Sequence, residues 1–218
     1  MPLDAIQADF EAGLVDSIRV YEELATTKTF VSANDFVHED LCVLEGLLSH
    51  LWQCWCRFSR SLLIESSTGT DDLSGTHFPQ VPGANSDADV SGAAIRIRHN
   101  RSIIWGFPNA VLRFEPTWGD VDVLIDIISG VGPANSTKLM GMCTLAGPSA
   151  RILQTIRNAA AHHNSQSMSE LLRISGPYFT FPLSHPCQAL FWVERSTGNY
   201  LLPDAIEGLN AASMYAVV

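Results

Sequence analysis

VHEDLCVLEGLLSHLWQCWCRFSRSL, residues 37–62, is the stretch that decides the fold of this chain. Its apolar side chains recur at alternating steps of four and three residues, and this seam extends over more than three heptads: Val37, Leu41, Leu44, Leu48, Leu51, Trp55, Phe58 and Leu62. Such a seam is typical of a long helix packed along others in a bundle. It predicts a helix over about 33–66, with Ser32 as N-cap and Asp35 at the capping-box position, where Glu is more usual.

Helical patterns also flank this stretch. Residues 3–25 predict an amphipathic helix, which together with 33–66 forms a long two-helix N-terminal hairpin. Further helices are expected over 120–129, 133–143, 147–163, 167–174 and 204–216, the last with Asp204 as N-cap, and residues 179–183 are expected to be extended. The predicted fold class is therefore mainly α, a single helical-bundle domain over 1–218.

One region does not fit a plain bundle. Residues 69–92 are rich in Gly, Ser, Asp and Pro and predict a long loop. The following AAIRIRHNRSIIWGF, residues 93–107, alternates polar and apolar side chains around His99-Asn100, which predicts a β-hairpin. The sequence thus predicts a loop and hairpin insertion at about 69–114.

Composition limits the compartment and the cofactors. The chain is 46% hydrophobic, yet it has no apolar run of 18 residues and no basic leader, so neither a membrane span nor a signal peptide is expected. Five cysteines, an odd number without a CxxC pair, favour reduced thiols in a cytoplasm. His185 and Cys187 are the only pair suggestive of metal ligands, so no metal site and no cofactor are predicted.

The net charge of −10 is unevenly distributed. Residues 1–50 hold ten acids against two bases, whereas 91–114 hold four arginines and no acid, and 147–175 carry +2. Phosphate binding depends on such local positive charge, so a nucleic-acid partner stays possible despite the acidic total. Arg96, Arg98 and Arg101 on the predicted hairpin could grip an RNA backbone or form an exposed polar strand face.

The segment Ile-Arg-Asn-Ala-Ala-Ala-His-His-Asn, residues 156–164, holds the candidate functional residues. On a helix, Asn158 and His162 share a face because they are four residues apart. Arg157 and His162 lie about 140° apart around the axis, at ~100° per residue, but the long arginine side chain can still reach the imidazole. The three alanines between them let a partner helix or an RNA strand approach closely.

An arginine and a histidine suffice for metal-independent RNA cleavage. RNA carries its own nucleophile, the 2′-hydroxyl; a histidine can remove its proton or protonate the leaving 5′-oxygen. An arginine can hold the phosphate and stabilise its developing charge. The structural alternative is that both residues cap the helix carbonyls and interact with the helix dipole.

The run from Arg157 through Asn158 and three alanines to His162 resembles the Rx4–6H signature of the HEPN superfamily, which sits on a late helix of an all-α bundle. The resemblance implies an endoribonuclease of toxin–antitoxin or antiviral systems, acting as a homodimer whose two motifs meet across the interface. Carried over, Arg157 and His162 would be catalytic, and Asn158 would orient or bind the substrate. Arg151 and His163 of the same segment are further candidate substrate-binding residues, and the alternative for His163 is an exposed position or a C-terminal cap.

The function expected from the sequence is a cytoplasmic, metal-independent endoribonuclease that acts on RNA as a toxin or phage-defence effector, with an antitoxin or partner defence subunit as a further possible partner. The alternative is a catalytically inactive HEPN-like module that binds a partner protein, through apolar bundle surface and the acidic N-terminal helix, or binds a nucleotide in a defence complex.

Overall fold

The structure is a computed structural model that describes residues 2–106, 112–162 and 164–218. Within these ranges the chain is mainly helical, which confirms the predicted class. The α-helices are α1 Leu3–Thr27, α2 His38–Thr68, α3 Asp87–Arg98, α4 Val121–Val131, α5 Ser136–His162, α6 Ser165–Arg173 and α7 Leu201–Val217. The strands are β1 Thr70–Asp71, β2 His77–Phe78, β3 Tyr178–Phe179 and β4 Val193–Glu194, and they form the antiparallel pairs β1–β2 and β3–β4. Among the described helices, none is long and apolar enough to cross a bilayer.

The chain divides into two compact units. Unit 1 comprises the residues up to Glu11, Trp55–Gly147 and Ala211–Val218, and unit 2 comprises Ala12–Cys54 and Pro148–Asn210. The division points fall within α1, α2, α5 and α7, so each of these four helices contributes residues to both units.

In unit 1 the apolar seam of α2 packs against α1. Trp55, Phe58 and Leu62 are buried, and the Phe10 ring of α1 stacks on Phe58 with 4.6 Å between ring centroids. Trp55 keeps its polar atom satisfied because Nε1 donates a hydrogen bond to the Gly119 carbonyl at 3.0 Å. Burying each such aromatic side chain contributes about 2–3 kcal/mol.

In unit 2 the seam continues through the buried Leu44, Leu48 and Leu51. Its first member, Val37, is exposed, because the long helix starts later than predicted. Ser32 begins a separate 3-10 turn, Ala33–Asp35, whose Asp35 carboxylate accepts from the Ser32 N–H at 2.7 Å. Ser32 and Asp35 therefore cap this 3-10 turn and not, as the sequence predicts, the long helix, because α2 begins at His38 rather than near 33.

The predicted β-hairpin over residues 93–107 is wrong, because its first arm, residues 93–98, belongs to α3, and the described residues 99–106 contain no strand. Ser86 caps α3 by accepting from the Asp89 N–H, and Val90, Ala93 and Ala94 are buried on one face at helical spacing. Four residues of Ile-Arg alternation are too few to distinguish the two-residue period of a strand from the 3.6-residue period of a helix. Burial of the small alanines favours the helix. The short antiparallel pair of this insertion, β1–β2, lies earlier, within the predicted loop.

Two further predictions need correction. The helices expected over 133–143 and 147–163 are one continuous helix, α5, with Pro148 inside it. Ala146 and Ala150 on either side of the proline are fully or almost fully buried, so packing outweighs the lost backbone hydrogen bond. Asp204 lies in the first turn of α7 rather than at its N-cap. The helices predicted over 3–25, 120–129 and 167–174 are confirmed as α1, α4 and α6.

Candidate functional site

The predicted site residues lie in the last turns of α5. Leu153, Ile156 and Ala159 are buried on one side of the helix, and this apolar contact fixes its rotation. Arg157 and Asn158 are consequently half-buried beside the apolar face. The sequence prediction that 157 and 158 lie together on a late helix is thus met by the structure.

Arg157 has no acidic partner within the described part of the chain. Its Nη1 lies 3.5 Å from Oδ1 of Asn158, the outer limit of a hydrogen bond. No described carboxylate lies within 4.0 Å of its guanidinium. A half-buried arginine with such donors can bind an anion, because the guanidinium stays charged and presents its N–H groups in a fixed fork.

A cavity of about 200 Å³ opens beside this arginine. It lies between α2 and α5, and its described lining is Glu45, Leu48, Ser49, Arg157, Ala160 and Ala161. The two alanines of the Arg-to-His run leave the space that larger side chains would fill. The volume is below the usual range of drug-sized ligand pockets, so it suits a small group such as a phosphate.

His162 is the last residue of α5 and is exposed. Asn164 Nδ2 donates to the His162 carbonyl at 3.0 Å, and Asn164 Oδ1 caps α6. His162 is not among the described residues that line the cavity. The structure therefore groups Arg157 with Asn158 and leaves His162 on the surface at the helix end.

The remaining predicted substrate-binding residues contribute less. Arg151 is exposed one and a half turns earlier on α5, and its carbonyl accepts from the Thr155 hydroxyl at 2.7 Å. His163 lies outside the described residues. Arg96 and Arg98, expected on a hairpin, occupy the last turn of α3, where positive side chains interact favourably with the helix dipole.

Glu45 and His185 form a pair that no sequence pattern indicates. His185 Nε2 lies 2.9 Å from Oε1 of Glu45, the glutamate that lines the cavity. Glu45 lies off the apolar seam of α2, and the two residues are 140 positions apart, so no local pattern links them. The pairing is visible only in three dimensions.

Neither the thiol next to His185 nor any other described cluster forms a metal site. Burial, and less strongly the charge of Glu45, raise the pKa of Cys187 to about 12, which keeps this thiol protonated near neutrality. Among the described residues, no group of three or more His, Cys, Asp and Glu side chains is arranged to hold a metal ion.

Comparison of the chain with family models, with curated proteins and with solved structures finds no match.

Proposed function

We propose that this protein is a metal-independent endoribonuclease in which Arg157 binds the scissile phosphate and His162 transfers a proton. The observation that supports the proposal is the half-buried Arg157, which lines a cavity of about 200 Å³ and has no described carboxylate within ion-pair distance of its guanidinium. An unpaired arginine in such a position can contact two phosphate oxygens at once, and it favours the extra negative charge of the transition state.

The chemistry requires a phosphate anchor and a proton-transfer group. The 2′-hydroxyl of the RNA attacks the adjacent phosphorus, and the 5′-oxygen leaves. His162 is exposed at the end of α5, where its imidazole is accessible to a bound RNA strand. The products would carry a 2′,3′-cyclic phosphate or a 3′-phosphate on one end and a 5′-hydroxyl on the other.

A homodimer is part of this proposal. Within one chain the cavity holds Arg157, whereas His162 is absent from its described lining. In a symmetric dimer of the kind implied by the HEPN resemblance, the Arg–His runs of two chains face each other, and the partner's copy can supply what one chain lacks. A role in toxin–antitoxin or phage defence, with an antitoxin or other subunit as regulator, rests on the same resemblance.

The test is cleavage of end-labelled RNA by the purified protein in excess EDTA, with wild type beside Arg157→Ala and His162→Ala. We expect cleavage by wild type that leaves cyclic-phosphate ends, and its loss in both variants. Folding of all three proteins is checked by circular dichroism.

Inactivity of the folded wild type on structured and unstructured RNAs, as monomer and as dimer, would overturn the proposal. It would leave the partner-binding module as the better account. Cleavage by both variants at the wild-type rate would instead show a different active site or a contaminating nuclease.

A further inference from the structure

We propose that Glu45 is the general base of this site and that His185 is its positioning residue. This inference rests on the proposed RNA cleavage at Arg157. It gives the cavity a function beyond phosphate binding, and it assigns to His162 the role of general acid.

The first observation is that Glu45 and Arg157 line one small cavity without forming an ion pair. They come from α2 and α5, and the cavity measures about 200 Å³. No described ion pair of 4.0 Å or less joins the two side chains, so the carboxylate is not neutralised by Arg157 and the guanidinium keeps its donors for a phosphate.

The second observation is that His185 holds the Glu45 carboxylate. Oε1 of Glu45 is held by Nε2 of His185 at 2.9 Å. The His185 side chain is 19% exposed and that of Glu45 is 49% exposed, so the histidine is the fixed member of the pair. The carboxylate is thereby held by His185, and about half of the Glu45 side chain remains exposed to solvent.

The geometry also sets the tautomer of His185. Its Nδ1 accepts a hydrogen bond from the Cys187 N–H at 3.3 Å, as the N-cap of the 3-10 turn Pro186–Phe191. The ring proton therefore resides on Nε2 and is donated to Glu45. The backbone of His185 is held as well, because its N–H donates to Oε1 of the buried Gln188 at 3.0 Å. With both ring nitrogens engaged, His185 orients the carboxylate and does not itself contact substrate.

Cleavage transfers one proton to Glu45 and one proton from His162. The Glu45 carboxylate accepts the proton of the 2′-hydroxyl as the 2′-oxygen forms its bond to phosphorus. The bond between phosphorus and the 5′-oxygen breaks, and the leaving oxygen takes a proton from the His162 imidazolium. Arg157 holds the non-bridging oxygens throughout. Proton exchange with water then restores the Glu45 carboxylate and the charged His162.

A substrate with a sulfur in place of the bridging 5′-oxygen distinguishes the loss of the general base from the loss of the general acid. Its thiolate leaving group departs without a proton, because a thiol ionises near pH 8.5. We expect Glu45→Gln, in which the amide oxygen still accepts from His185, to lose about 10²–10⁴-fold in kcat on both the ordinary and the sulfur-containing RNA. His162→Ala should lose a similar factor on ordinary RNA only.

Cleavage of both substrates by folded Glu45→Gln at the wild-type rate would overturn the inference and leave the proposed ribonuclease intact. Loss in Glu45→Gln on ordinary RNA alone, or loss in His162→Ala on both substrates, would also overturn the assignment of base and acid. A wild type that cleaves neither RNA removes the proposed function itself, so the two failures are distinguishable.

His185 offers a matched pair of variants. Asn at this position retains an N-cap oxygen in the place of Nδ1 but loses the donor to Glu45, and Gln places an amide N–H near the position of Nε2. We expect His185→Asn to lower kcat on both substrates at unchanged KM, and His185→Gln to recover most of it. Equal activity of both variants with wild type would show that His185 does not position Glu45.

Discussion

Arg60 and Arg157 are both half-buried arginines on long helices, and they differ in what surrounds them. In unit 1, Arg60 of α2 donates to Asp87 at 2.7 Å and to the two oxygens of Glu115 at 2.8 and 2.9 Å. In unit 2, Arg157 of α5 contacts only the neighbouring Asn158 amide at 3.5 Å within the described residues. The charge of Arg60 is neutralised within the protein, whereas that of Arg157 has no described carboxylate as a partner.

The contrast distinguishes a structural arginine from a binding arginine. The pKa of Arg60 is raised, mainly by its hydrogen bonds to Glu115, although burial alone would lower it. Burial alone would raise the pKa of Glu115, but hydrogen bonds from Arg60, Ser91 and Trp118 outweigh it and lower that pKa. Such an arginine stabilises the fold and has few donors left. Arg157 has no such ion pairs among the described residues, so we expect it to contribute less to the stability of the fold and to keep donors for a ligand.

The largest expected effect is that one alanine variant loses activity while the other loses stability. Arg157→Ala should lose about 10²–10³-fold in RNA cleavage, the usual cost of removing one transition-state donor, with the free energy of unfolding changed by less than about 0.5 kcal/mol. Arg60→Ala should keep its activity per folded molecule and lose about 2 kcal/mol of stability, because Glu115 is left without its cation. Urea unfolding and initial cleavage rates measure the two quantities.

The distinction between the two arginines is wrong if both variants change activity and stability alike. A loss of stability in Arg157→Ala as large as in Arg60→Ala would make Arg157 a structural residue. Normal cleavage by that variant would remove it from the proposed site.

The sequence predicts these two arginines unequally well. Arg157 is found through its spacing from His162, because both residues lie on one helix, where spacing sets the angle between side chains. Arg60, Asp87 and Glu115 come from separate segments, so their network depends on chain packing that no local pattern encodes. The same limit applies to Glu45 and His185, which meet in unit 2 from α2 and the turn before Pro186.

Periodicity predicts long elements better than short ones. The α2 seam spans many turns, and its helix is confirmed, whereas the four-residue Ile-Arg alternation near residue 96 fits a strand and a helix equally well. Burial of Ala93 and Ala94 decides between them, and burial is a property of the folded chain. Pro148 misleads for a related reason, since tertiary packing carries α5 through a residue that usually ends a helix.

A smaller effect should appear in the pH dependence of stability around Arg60. The pKa of Glu115 is lowered in the folded protein, so its contribution is fully present above its ordinary value near 4.5 and is lost as the pH falls through the folded value. Wild type should exceed Glu115→Gln by about 1 kcal/mol at pH 7, a figure reduced for partial exposure. The gap should shrink as the pH falls below about 4.5, which urea unfolding from pH 7 to pH 3 will show.

A gap that stays constant over this range would mean that the charge of Glu115 does not contribute to stability and that the difference from Gln arises from interactions that protonation does not change. In that case the network would stabilise the fold through neutral hydrogen bonds, and Arg60 would be less firmly neutralised than its geometry indicates.

The smallest effect concerns the salt dependence of RNA binding. An arginine that contacts phosphate releases about 0.7 of a counterion from single-stranded RNA, so each contact adds that amount to the slope of log Kd against log salt. With 2′-O-methyl RNA, which has no free nucleophile and is not cleaved, Arg157→Ala should reduce the slope by about 0.7. Arg60→Ala should leave it unchanged, because a cation already neutralised by Asp87 and Glu115 has no phosphate to contact. Equal slopes in wild type and Arg157→Ala would mean that RNA is held by other cations. The cavity beside α5 would then need a ligand other than a phosphodiester.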